Sequence, residues 1–140
     1  MRRAAIAIAT AAAAALGLTA CSGGGTTAPA TSAPTTYSTV TEVRDAMIKA
    51  GGQCKDWIQD NVVHNASQSG HCGTGTTISL YLSRAAAEAQ VQYNKDSVFG
   101  SIDSTWLVGE NWIINASDQD VDTLHSKLGG DIVTFGDATK

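Results

Sequence analysis

Trp106-Leu107-Val108-Gly109-Glu110-Asn111-Trp112-Ile113-Ile114 is the stretch that decides the fold. Two apolar triplets flank Gly109-Glu110-Asn111, which reads as an antiparallel hairpin with a three-residue turn. Towards the N-terminus, Thr76 to Leu82 alternates, with Ile78, Leu80 and Leu82 on one side and Ser79 and Tyr81 on the other. That is the period of a half-buried strand. Ser83 then caps an alanine-rich helix running to about Asn94. Towards the C-terminus, Ser117 caps a helix whose apolar stripe is Val121, Leu124 and Leu128. Gly129-Gly130 ends it, and Ile132-Val133-Thr134-Phe135 supplies a last strand.

Further out, Thr39-Val40-Thr41-Glu42 is a capping box. Val40, Val43, Met47 and Ala50 follow at helical spacing, and Gly51-Gly52 stops the helix. Between Cys54 and Cys72, Trp57-Ile58 and Val62-Val63 read as one bent strand or two short ones. Asn65 to Gly70 reads as a turn or loop. The expected fold is therefore α+β, in the order α-β-β-α-β-β-α-β. Its simplest architecture places the helices on one face of a mostly antiparallel sheet.

The 140 residues suffice for one ordinary domain. Nine Lys and Arg face 13 Asp and Glu, a net charge of -4, which argues against a nucleic-acid partner. The 43% hydrophobic content is inflated by an N-terminal alanine run. Met1-Arg2-Arg3 gives that run a basic start, and Ala4 to Ala20 carries no charge. Its length and its small residues fit a signal peptide better than a spanning helix. The apolar residues expected after a twin-arginine pair are missing, which favours the general secretory route. Without Arg2 and Arg3 the rest of the chain is more acidic still, so its surface is not expected to hold anionic lipid.

Leu18-Thr19-Ala20-Cys21 resembles the bacterial lipobox. The resemblance implies cleavage before Cys21 and a diacylglyceryl group on its thiol, and two acyl chains anchor a protein stably. Ser22 to Ser38 is uncharged and holds both prolines, Pro29 and Pro34. It reads as a flexible tether spanning roughly 20–25 Å as a coil. The expected organisation is a signal peptide over 1–20, lipidated cysteine and tether over 21–38, one domain over 39–136 and a tail over 137–140. Signal, lipobox, tether and a two-cysteine domain together look like the small lipoproteins of actinobacteria. That resemblance implies a place on the outer face of the cell membrane and leaves the activity open.

With Cys21 assigned to lipid, Cys54 and Cys72 form an even pair outside the cytoplasm and read as a disulfide. The rival reading, a metal site using His64 and His71, matches no zinc spacing. Asp118, Asp120 and Asp122 imitate a calcium loop but lack its glycine and glutamate, since Thr123 and Gly129 stand there. They suit a helix N-terminus instead. Gly73-Thr74-Gly75 reads as a turn, and His125 as a surface or packing residue. No nucleophile elbow or metalloprotease motif is present. No cofactor and no metal is expected. Trp106 and Trp112, on either side of the hairpin turn, read first as packing residues and second as a candidate binding surface.

Three functional classes follow. The leading one is a membrane-tethered binding or accessory module whose partner is an envelope protein or cell-wall component; phage exclusion is a special case of it. The second is a substrate- or lipid-carrying lipoprotein, which needs an apolar cavity. The third is an envelope enzyme, which needs a convergent cluster of titratable groups.

Overall fold

The computed structural model describes residues 35–136; the signal segment, Cys21, the tether up to residue 34 and the tail after residue 136 lie outside the described residues. Three helices and six strands follow in the order α1 (Val40–Lys49), β1 (Trp57–Gln59), β2 (Gln68–Cys72), β3 (Thr76–Leu80), α2 (Arg84–Asp96), β4 (Ser104–Val108), β5 (Trp112–Ala116), α3 (Asp118–Leu128) and β6 (Asp131–Phe135). The strands form one antiparallel sheet of spatial order β1-β2-β3-β5-β4-β6. The fold is α+β with a Cys54–Cys72 disulfide, as expected from the sequence.

Local chemistry sets the element boundaries. Thr39 and Glu42 close the capping box in both directions, and the Glu42 carboxylate also accepts the Ser38 N–H. Ser83 and Ser117 cap α2 and α3 through the N–H groups of Ala86 and Asp120. Gly73, at φ +56°, turns β2 into β3. The Gly109-Glu110-Asn111 turn joins β4 to β5, with the Gly109 N–H donated to the Trp112 carbonyl at 2.8 Å. A Cβ on Gly109 would run into the Trp112 ring, so the turn and the tryptophan specify each other.

The helices divide between the two faces instead of gathering on one, which corrects the expected architecture. The α1 and α3 helices cover Ile78, Leu80, Leu107, Trp112 and Ile114 with Val43, Met47, Val121 and Leu124. On the opposite face, Ala87 and Val91 of α2 cover Tyr81, Trp106, Val108 and Ile113. The reason lies in the strand order. β3 runs parallel to β4 across β5, and β5 runs parallel to β6 across β4. Both crossovers step the same way along the sheet, but they start from strands of opposite direction. Two crossovers of the usual right hand must then lie on opposite faces.

Two further differences follow from this layering. With both faces covered, Ser79 and Tyr81 are as buried as Ile78 and Leu80, so β3 is not half-buried. The chain leaves the sheet after Leu80, and Leu82 ends 89% exposed. Asn65 to Gly70 was expected as a loop, yet Gln68, Ser69 and Gly70 belong to β2. Apolar alternation is missing there because Gly70 leaves room for the Trp57 ring: a Cβ at position 70 would sit 2.5 Å from it. Val62-Val63, expected as strand, lies in the connection between β1 and β2.

The ordered fold also begins earlier than Thr39. Asn111 binds the backbone of Tyr37 through both ends of its side-chain amide, and the Trp112 indole donates to the Thr35 carbonyl at 2.8 Å. The Tyr37 ring meets Trp112 edge-on with centroids 6.2 Å apart. The last residues assigned to the tether are thus part of the domain.

Candidate functional site

The two tryptophans on either side of the turn do not form one surface. Trp106 pairs with Asn115, three positions from Trp112 along β5, and that odd offset sends Trp112 into the α1–α3 core and Trp106 into the α2 core, where both are buried. Both are packing residues, as read first from the sequence, and they share no exposed aromatic surface. Trp112 is satisfied by Thr35, whereas the Trp106 indole packs on Phe135 and its N–H has no partner.

That unpaired donor belongs to a recess on the α2 face. Ser79, Tyr81, Trp106 and Asn115 form its floor, and Gln90 and Asn94 of α2 form its roof. Its volume is about 170 Å³. The sequence carried a signal here. Gln90 and Asn94 fall on the same α2 stripe as Ala87 and Val91, positions where an amphipathic helix normally places apolar groups. Gln90 is 6% exposed, Asn94 9% and Trp106 9%. Every group around this recess is uncharged at neutral pH. Tyr81 is a phenol at this pH, and burial pushes its pKa further up, to about 12, against a smaller lowering by the Ser79 hydroxyl.

A second recess of about 330 Å³ adjoins the first, and Val63 and Thr77 line both. Its polar end is formed by Asp60 and His71, with Oδ2 of Asp60 3.1 Å from Nδ1 of His71. The β1–β2 connection that carries Asp60 is folded back by Asn61, whose φ of +54° suits asparagine. Asn61 accepts the Ser69 N–H through its side chain and donates its own N–H to the Ser69 carbonyl, acting as a short mimic of a neighbouring strand. Further along, His64 stacks on Tyr93 of α2 with centroids 4.5 Å apart. The loop and α2 therefore meet above the joined recesses.

Among the described residues, three buried side-chain atoms lack a hydrogen-bond partner: Asp60 Oδ1, Gln90 Oε1 and Trp106 Nε1. All three belong to residues lining these two adjoining recesses. Buried polar atoms are nearly always paired, and leaving one unpaired costs about 1–3 kcal/mol. Three such atoms on one face of a single sheet mark it as the candidate site.

The other candidates from the sequence sit elsewhere. Cys54 and Cys72 are consumed by the disulfide, which removes them as metal ligands, and His64 and His71 have separate partners. Among the described residues no cluster of three or more metal-ligating side chains occurs. Asp118 accepts the Thr105 hydroxyl and Asp120 the Ser117 hydroxyl, consistent with the helix-start reading. His125 is half-buried on α3, away from the recesses. A wider hollow of about 750 Å³ lies at the end of the sheet near Asp103 and Asp118, but it is shallow and open. Among the described residues no helix is long and apolar enough to cross a membrane. Cys21 lies outside the described residues. No protein family, curated protein or solved structure matches the chain.

Proposed function

We propose that this protein is a lipid-anchored, extracytoplasmic binding module of the bacterial envelope, held at the outer face of the membrane through Cys21. Its partner is a cell-wall component or envelope protein bound on the α2 face. The sequence supports the anchor: a basic start, a short uncharged run and the Leu18-Thr19-Ala20-Cys21 box. The observation that carries the binding role is the set of three unpaired buried atoms on Asp60, Gln90 and Trp106. The inner recess offers amides, hydroxyls and an indole, groups that hold a ligand by hydrogen bonds. The size and polarity of the inner recess disfavour a lipid carrier, which needs a larger apolar cavity.

Two measurements test the reading. Cys21→Ser should abolish labelling by a palmitate analogue and leave an uncut precursor or release protein to the medium; unchanged labelling rules out the anchor. The mature chain, made from residue 22 onwards, should gain thermal stability when soluble peptidoglycan fragments are added, because a ligand that binds only the folded state raises its melting temperature. No change with fragments or with extracted envelope proteins rules out the binding role.

A further inference from the structure

The inner recess sets a chemical requirement on whatever fills it. Two residues that line it each carry an unpartnered polar atom now closed to solvent, the donor Trp106 Nε1 and the acceptor Gln90 Oε1, and a group that accepts from the first and donates to the second satisfies both. It also has to be uncharged, because neither carboxylate nor cation lines the recess to compensate an ion. It has to be small: about 170 Å³ is near the space that takes a single six-carbon ring. Finally, part of it has to be apolar, because Val63 and Ile113 complete the lining.

We propose that the inner recess binds a secondary amide of the acetamido type, CH3–CO–NH–R. This rests on the reading of the α2 face as a binding site and names its ligand class. The acyl oxygen takes the indole proton of Trp106, the amide N–H is donated to Gln90, and the methyl group lies against Val63 and Ile113. A hydroxyl also donates and accepts, but it places no methyl group on the apolar part of the lining. A carboxylate cannot donate, and an ammonium cannot accept.

The substituent R then extends into the outer recess, which adjoins at Val63 and Thr77. There the Asp60 carboxylate has one oxygen on His71 and the other unpaired. An unpaired carboxylate oxygen calls for a donor such as a sugar hydroxyl or a peptide N–H. An amino sugar and an N-acylated peptide both present this combination, and the two sources are separable by experiment.

The test is a titration of the ¹⁵N-labelled mature chain, residues 22–140, followed by nuclear magnetic resonance. The Trp106 indole resonance is assigned by its loss in Trp106→Phe. Three probes are used: N-acetylglucosamine, the methylamide of N-acetylalanine, and glucosamine, which lacks the acyl group. The expected result is a saturable downfield shift of the Trp106 indole proton with an acetamido probe and none with glucosamine. A shift with N-acetylglucosamine, weakened about tenfold by Asp60→Asn, assigns the sugar as source. A shift with the peptide probe alone assigns an acylated peptide. No indole shift with either acetamido probe, or an equal shift with glucosamine, overturns the proposal. If peptidoglycan fragments still raise the melting temperature in that case, the binding role stands and only the ligand class is wrong. If neither response occurs, both fail.

Discussion

The side-chain amide of Asn111 grips the peptide of Tyr37 from both ends, accepting its N–H at 3.0 Å and donating to its carbonyl at 2.8 Å. A residue in the turn between β4 and β5 thus serves as a strand partner for a segment more than seventy residues earlier. Trp112 adds its indole hydrogen bond to Thr35 and its edge contact with the Tyr37 ring.

Removing that segment should be costly. A chain starting at Thr39 loses four hydrogen bonds and leaves the indole N–H of fully buried Trp112 unpaired. Its unfolding free energy in urea should fall by about 3 kcal/mol relative to the chain starting at residue 22. Asn111→Ala in the longer chain should account for a large part of that loss. Equal stability of the two chains would mean that residues 35–38 do not pack on the domain in solution.

The disulfide should matter by a similar amount. Cys54 and Cys72 are separated by 18 positions and tie the end of β2 to the segment before β1. Constraining a loop of that length stabilises a fold by about 3 kcal/mol in the chain-entropy account. Urea midpoints with and without reductant should separate accordingly. A difference below about 1 kcal/mol would place the stabilisation elsewhere.

Gly70 and Gly75 offer a matched pair of substitutions. A Cβ at Gly70 would lie 2.5 Å from the Trp57 ring and 2.6 Å from the Ile58 carbonyl, whereas one at Gly75 meets nothing within 4 Å. Gly70→Ala should therefore cost about 1–3 kcal/mol as β1 is pushed off β2. Gly75→Ala should change stability by less than about 0.5 kcal/mol. Similar effects at both sites would contradict the packing of Trp57 over β2.

Alkali should weaken the fold through Tyr81. Burial holds its phenol protonated to about pH 12 in the folded protein, against an ordinary value of 10.0. The unfolded chain thus releases its proton first, so the stabilisation is fully present below pH 10 and lost as pH rises towards 12. The loss should approach about 2 kcal/mol across that window. Tyr81→Phe should flatten this part of the stability profile, and an unchanged slope would assign it to other groups.

What was legible in the sequence was local. The Thr39–Glu42 box, the Ser83 and Ser117 caps and the two three-residue turns depend on neighbours in the chain, and each reads directly from residue type. What was not legible depended on pairing across distance. β2 is polar and small because its room is taken by Trp57, so no periodicity marks it as a strand. The division of the helices between faces follows from strand order, which no local pattern encodes. The candidate site was half legible. Gln90 and Asn94 interrupt an apolar helix stripe in plain view. Asp60 and His71 come together only when β1 and β2 pair.

The Thr35–Tyr37 segment and the recess lie on opposite sides of the same sheet, with Tyr37 packed on the α1–α3 side and Gln90 on the α2 side. Pull on the chain at Thr35 and the load enters at Trp112, on strand β5 in the middle of the sheet. That strand is clamped by β3 and β4, so tension from the N-terminal segment is spread over the hydrogen bonds of two neighbours before it reaches Ile113 and Asn115 beneath α2. A pull on the chain ahead of Thr35 then leaves the α2 face closed. Tension on the N-terminal segment and the shape of the α2 recess become independent variables.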